Sequence, residues 1–139
     1  MKKIDNGFLK TYYIIALIWS LIGLIDSFFI TGRLENFLSN SYIIYSYFLS
    51  IFFFAFFVFS IIVIFNFRKK KLSKVVYVLP IYHIVFPILS IFVSIAIGIY
   101  IGITGKVDVD LYQSIASPIG IVSSLFELVF SMYILKKFS

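Results

Sequence analysis

The sequence lacks cysteine altogether and holds a single histidine. The absence of cysteine excludes disulfide bonds, thiolate metal sites and cysteine nucleophiles. With one histidine and no thiolate, a zinc-type site would lack the three or four protein ligands that such sites use. No phosphate-binding loop, nucleotide fingerprint or catalytic Ser–His–Asp arrangement stands out in the chain. We therefore expect no metal, no cofactor and no enzymatic activity.

Charge is also scarce. Only 13% of the 139 residues are charged, whereas 62% are hydrophobic. A soluble domain carries about 25% charged and about 45–50% apolar residues. Both differences point to an integral membrane protein. The length suits one domain, so we predict that residues 1–139 form a single transmembrane domain.

Four apolar segments are long enough to cross a bilayer, which takes about 20 residues in a helix. They cover residues 12–30, 42–67, 75–103 and 112–135. Backbone groups in hydrocarbon must bond internally, so each segment should be helical. The first is longer than the apolar part of a signal peptide and lacks a small-residue cleavage site, so we expect it to be retained. The predicted fold is an all-α, integral membrane four-helix bundle.

Basic residues predict the orientation. Arg33 and Lys106 lie in two connections that also hold Glu35, Asp108 and Asp110. The other ten basic residues lie in the N-terminal tail, the middle loop and the C-terminus: Lys2, Lys3, Lys10, Arg68, Lys69, Lys70, Lys71, Lys74, Lys136 and Lys137. The positive-inside rule places both termini and the middle loop in the cytoplasm. The membrane is then the inner or plasma membrane of a cell, or an organelle membrane if the chain is organelle-encoded.

These cations do not indicate nucleic-acid binding, because they flank apolar spans. Orientation and the anionic headgroups of the bilayer explain them more simply. The expected partners are the lipid bilayer and other membrane chains, either copies of this one or subunits of a larger complex, and no nucleic acid.

Small residues recur every three or four positions along three of the segments. Such spacing keeps them on one side of a helix. There they either allow close helix packing or line a water-filled path, and the sequence leaves both open. The residues are Ser20, Gly23 and Ser27 in the first segment, Ser90, Ser94 and Gly98 in the third, and Ser117, Gly120 and Ser124 in the fourth.

Aromatic and proline residues predict further features. The second segment is rich in phenylalanine from residue 52 to 59, which suits contact with lipid or with a partner subunit. Tyr12 and Tyr13 lie at a predicted helix end, where amphipathic rings favour the headgroup region. Pro80 and Pro87 fall within the third segment, where each should cause a kink.

Asp26, His83 and Glu127 are ionisable residues inside the predicted spans. A charge at the bilayer centre costs about 2.5–3.5 kcal/mol on insertion scales, so such residues often mark function. Asp26 lies near the outer end of its helix and can reach toward water. His83 and Glu127 each lie about 12 Å from the same surface on antiparallel helices. We expect them to make contact, either as a structural hydrogen bond or as a site of proton exchange.

Three functions follow, in order of preference. The first is a non-enzymatic helical bundle that acts as a homo-oligomer or an accessory subunit of a larger membrane complex. The second is a small transporter or channel subunit whose polar path is lined by Asp26, His83 and Glu127. The third is an intramembrane enzyme that uses His83 and Glu127 as acid and base on a lipid-like substrate.

Overall fold

The computed structural model describes residues 7–30, 40–106 and 109–138. Helix α1 spans Gly7–Ile25 and continues into a π-helical turn, Asp26–Ile30. Helix α2 spans Asn40–Lys69. A 3-10 turn, Lys74–Tyr77, leads into helix α3, Val78–Thr104, and helix α4 spans Val109–Phe138. The all-α prediction is confirmed, and four helices are long and apolar enough to cross a membrane.

The helices extend beyond the apolar segments at both ends of the chain. Helix α1 begins at Gly7 rather than at residue 12, and α4 continues through Lys136 and Lys137 to Phe138. The side chains of Lys10, Lys136 and Lys137 are exposed. A lysine can remain in a helix while its long side chain carries the charge to the surface. An apolar run therefore stops at a lysine although the helix does not.

The chain divides into two compact units. The first consists of Met1–Ile51 and Gln113–Ser139, and it holds α1 and most of α4. The second is Phe52–Tyr112, with the C-terminal part of α2 and all of α3. The single-domain prediction and the cytoplasmic placement of the termini stay predictions. The predicted-loop residues Arg33, Glu35 and Asp108 lie outside the described part of the chain.

In the first unit, α1 and α4 each carry a stripe whose spacing alternates between three and four residues. This heptad spacing keeps the stripe on one side of a helix. The stripe of α1 holds Leu9, Tyr13, Ala16, Ser20, Gly23 and Ser27, and that of α4 holds Ser117, Gly120, Ser124, Glu127, Ser131 and Ile134. All of these residues are buried except Gly23, Ser117 and Gly120, which are half-buried.

Tyr12 and Tyr13 lie inside the protein, and their expected depth at the headgroups stays a prediction. Both are fully buried, and their rings pack edge to face with centroids 5.3 Å apart. The reason is the earlier start of α1 at Gly7. That start places the two tyrosines in the second turn of the helix, where they face the interior.

In the second unit, aromatic rings join α2 to the start of α3. The ring of Phe67, near the end of α2, packs edge to face on Tyr77 with centroids 5.9 Å apart. Nearer the middle of α2, Phe56 packs on His83. Between them on α2 lies Ser60, which is buried and whose hydroxyl donates a hydrogen bond to the carbonyl of Phe56 at 2.8 Å. The two ring contacts, unlike the Ser60 bond within α2, link α2 to the start of α3 near the loop that joins them.

The two prolines of α3 have different consequences. Pro80 is the third residue of the helix. A proline is tolerated better in the first turn of a helix than in its interior, so Pro80 disturbs α3 less than Pro87 does. Pro87 lies inside α3 and cannot donate the usual bond to the carbonyl four residues earlier. Nearby, the Ser90 hydroxyl is 3.1 Å from the Phe86 carbonyl and 3.2 Å from that of Pro87, and it donates to them.

Two helices end in the left-handed backbone conformation. Gly105 ends α3 with φ of 64°, and its N–H donates to the carbonyl of Ile101 at 2.8 Å. At the end of α2 the corresponding residue is Lys71, with φ of 49°. Glycine adopts this conformation readily, whereas for other residues it costs about 1–2 kcal/mol.

Candidate functional site

Helices α1 and α4 meet through two reciprocal contacts between a glycine and a serine. A Cβ placed on Gly23 would lie 2.5 Å from the Oγ of Ser124. A Cβ placed on Gly120 would lie 2.6 Å from the Oγ of Ser27. Each serine hydroxyl thus occupies the space left by the missing side chain of a glycine on the other helix. The Ser117 hydroxyl also donates to the carbonyl of Ser27 at 3.4 Å.

These contacts define an antiparallel register. A step of four residues forward on α1, from Gly23 to Ser27, corresponds to a step of four residues back on α4, from Ser124 to Gly120. A step of three residues in the other direction places Ser20 at the level of Glu127. The register therefore aligns the predicted packing residues of α1 and α4 with one another. It also places Glu127 at the level of Ser20.

The facing stripes of α1 and α4 form a seam between the two helices. Glu127 lies in a part of this seam that is rich in hydroxyl groups. Its side chain is 6% exposed, although α4 carries it near the middle of a candidate span. Ser124 and Ser131 flank it on the same stripe, and both are buried. Residues three and four apart on a helix are surface neighbours. Hydroxyl groups are thus among the polar groups that the register and the helix place beside this carboxyl group.

The buried hydroxyl groups of the seam differ in their bonding. The Ser20 hydroxyl donates to the carbonyl of Leu17 at 2.7 Å. The Ser131 hydroxyl is fully buried and has no hydrogen-bond partner among the residues that the structure describes. A buried hydroxyl without a partner costs about 1–3 kcal/mol. Ser131 is therefore a weak point of the seam.

His83 occupies an aromatic slot in the second unit. Its side chain is 5% exposed. The ring of Phe56 lies 4.6 Å from the imidazole, centroid to centroid, and the ring of Tyr82 lies 5.4 Å away, both edge to face. His83 and Glu127 belong to different units, and their pairing stays a prediction.

Asp26 lies where α1 changes into the π-helical turn, and it is half-buried. π-Helical turns are rare and often occur at functional sites. Sequence reasoning missed this turn, since no proline or glycine lies within it to signal a break in the helix.

The third set of small residues, on α3, lies in different surroundings. Ser94 and Gly98 are exposed and Ser90 is half-buried. Among the described residues, nothing lies within 4 Å of a Cβ placed on Gly98 or on Gly102. The Ser94 hydroxyl donates to the carbonyl of Ser90 at 2.8 Å, within its own helix. This stripe therefore presents a smooth surface on which the helix backbone is accessible.

The chemistry open to these groups is limited. Within residues 7–30, 40–106 and 109–138, no group of three or more His, Cys, Asp or Glu side chains could hold a metal ion. The first unit holds a carboxyl group among hydroxyls, and the second holds an imidazole among aromatic rings. No family model, no curated protein and no solved structure matches the chain.

Proposed function

We propose that the protein is a non-enzymatic integral membrane protein that works by assembly inside the bilayer. It acts as a homo-oligomer or as an accessory subunit of a larger membrane complex, with both termini and the loop at 68–74 in the cytoplasm. The observation that supports assembly is the uncovered stripe of small residues on α3. We define this stripe as Ser90, Ser94, Gly98 and Gly102.

The small residues of α3 differ in their surroundings from those of α1 and α4. On α1 and α4, each glycine receives a serine from the other helix. On α3, a Cβ placed on Gly98 or Gly102 would have no described atom within 4 Å apart from the backbone of its own helix. Small residues four apart let two helix backbones approach closely, and this is the geometry of right-handed transmembrane dimers. The α3 stripe therefore suits a helix from another chain.

The surroundings of the stripe support a partner inside the bilayer rather than in water. The candidate span that contains α3 is the least buried of the four. In its 18-residue apolar stretch, 6% is buried, against 17–28% in the corresponding stretches of the other three spans. Its side chains near the stripe are large and apolar, and Ile91, Ile95 and Ile99 are each more than half exposed. A transmembrane helix is the kind of partner that covers such a surface.

The test compares two small-to-large changes on α3. Gly98→Leu places a large side chain on the stripe. Ala96→Leu places the same side chain two residues away, about 200° around the helix, where Ala96 is exposed as well. We expect Gly98→Leu to reduce assembly at least tenfold, measured by energy transfer between labelled chains in liposomes or by recovery of a co-purifying subunit. Ala96→Leu should leave it unchanged. Equal behaviour of the two variants would contradict the proposal.

A further inference from the structure

The loop that joins α2 to α3 has a defined and anchored geometry. The N–H of Leu72 donates to the carbonyl of Phe67 at 3.2 Å, and the N–H of Lys71 donates to that of Arg68 at 3.1 Å. This pair of bonds is the Schellman motif, which ends a helix with one residue in the left-handed conformation. Phe67 and Leu72 are both buried, which suits the hydrophobic contact that often accompanies this motif. The loop is therefore fixed to the end of α2.

Lysine at position 71 is unexpected. The left-handed position of a Schellman motif usually holds glycine, and the chain does place Gly105 at the left-handed end of α3. Strained backbone persists where the surrounding structure imposes it, and such outliers cluster at functional positions. Glycine at position 71 would relieve the backbone strain. The lysine at this position therefore indicates a role for its cationic side chain.

The loop carries dense positive charge. Five cationic side chains lie within residues 68–74, and all of them are exposed: Arg68, Lys69, Lys70, Lys71 and Lys74. No aspartate or glutamate occurs anywhere from residue 36 to residue 107. The sequence around the loop therefore holds no carboxylate to balance this charge, and Arg68, Lys69, Lys71 and Lys74 present exposed cationic side chains.

We infer that the loop at 68–74 binds the headgroups of anionic phospholipids. This inference relies on the membrane placement that the proposed function assumes, but not on assembly through α3. The loop joins two candidate spans directly, and its tight motif keeps the cations close to the helix ends. Cations in that position lie at the depth of the lipid phosphates, and clusters of four to eight of them next to a span attract anionic lipids. A soluble protein or a nucleic acid would need the loop to extend away from the helix ends, which so short a loop does not do.

The test uses the full chain in phosphatidylcholine liposomes with trace spin-labelled lipid. We expect the wild-type chain to select labelled phosphatidylglycerol over labelled phosphatidylcholine about fivefold or more, because one cation near the surface contributes about that factor. The preference should fall as ionic strength rises, because salt screens exposed charges.

Two double variants with the same change in charge localise the effect. Lys69→Gln with Lys71→Gln should remove most of the preference. Lys136→Gln with Lys137→Gln should retain it, because Lys137 already engages Tyr133 through a hydrogen bond of 3.1 Å and a cation–π contact. The single variant Lys71→Gly should lower the preference without any loss of thermal stability, since glycine suits this backbone.

Several results would overturn the inference. One is a Lys69/Lys71 variant with the wild-type preference, and another is an equal loss in the Lys136/Lys137 variant. Displacement of the labelled lipid by millimolar inorganic phosphate would show a free-anion site instead. The assembly proposal is tested separately: Gly98→Leu should keep the lipid preference whether or not it prevents assembly. A chain that fails to float with liposomes at all contradicts the membrane placement itself.

Discussion

The hydroxyl of Ser124 occupies the space that a side chain at Gly23 would need. The same relationship recurs four residues away between Ser27 and Gly120, with the roles of α1 and α4 exchanged. In a bilayer, lipid tails would give these helices no hydrophobic reason to associate, so the close packing of small residues would help to hold them together. The reciprocal pairs make α1 and α4 each other's partner within the first unit.

The Gly23–Ser124 contact predicts a coupled pair of mutations. Gly23→Ala should destabilise the protein by about 1–3 kcal/mol, as overpacking in a close-packed core does. Adding Ser124→Ala should restore most of that loss, because the Cβ of residue 124 lies 3.5 Å from the new methyl group, an ordinary contact. Unfolding in detergent can be followed by the fluorescence of Trp19, the only tryptophan, which lies half-buried on α1. Strictly additive effects would show that the two residues do not meet.

Two buried serines should respond differently to the loss of their hydroxyl groups. Ser131→Ala should leave stability unchanged or raise it by about 1 kcal/mol, since it removes a buried hydroxyl that lacks a partner among the described residues. Ser60→Ala removes a hydroxyl that donates at 2.8 Å to the carbonyl of Phe56, and it should lower stability by about 0.5–1.5 kcal/mol. The midpoint of thermal unfolding in one detergent measures both. If Ser131→Ala is the more damaging change, the description of the seam is wrong.

The left-handed helix ends predict opposite effects of exchanging glycine and lysine. Lys71→Gly should raise the free energy of unfolding by about 1 kcal/mol, and Gly105→Lys should lower it by a similar amount. Both residues are exposed, so packing changes little. Denaturant unfolding in mixed micelles is a suitable measurement. A loss of stability in Lys71→Gly would mean that the lysine side chain itself stabilises the turn.

The transporter hypothesis makes a prediction that assembly alone does not. A path lined by Asp26, His83 and Glu127 would give proteoliposomes a pH-dependent flux of protons or a small solute, and Glu127→Gln would abolish it. Our account predicts instead that reconstituted protein shows no flux above that of empty liposomes. It also predicts that Glu127→Gln, which keeps the shape of the side chain, assembles normally. A flux that depends on Glu127 would replace the assembly proposal with the transporter.

Much of the fold follows from the sequence because hydrocarbon leaves few alternatives. An apolar segment of about 20 residues must be helical to satisfy its backbone, so the four helices and their order were predictable. Their ends were not, since Lys10 and Lys136 stay helical while their charges reach the surface. The burial of Tyr12 and Tyr13 depended on that same extension of α1.

The candidate site was less predictable, for a physical reason. Serine and glycine at intervals of three or four residues look alike whether they face a helix of the same chain or of another. Gly23 and Gly98 have similar surroundings in sequence, yet Ser124 meets the first and nothing in the described chain meets the second. Likewise, the sequence around Asp26 does not predict that a π-helical turn begins at this residue. Only the three-dimensional pairing separates these cases.

If the α3 stripe faces another transmembrane helix, a photo-crosslinker beside the stripe should capture that helix. The chain has no cysteine, so Ile95→Cys gives a unique attachment point for a benzophenone photo-crosslinker in native membranes. Ile95 is large and more than half exposed, and it lies three residues from Gly98 at the edge of the stripe, so the probe leaves the glycines free. We predict that light converts the Ile95→Cys chain into a discrete species of higher mass, a dimer or an adduct with another subunit, whereas Ala96→Cys reacts with lipid alone. An Ile95→Cys chain that crosslinks only to lipid, as Ala96→Cys does, would contradict contact with a second helix.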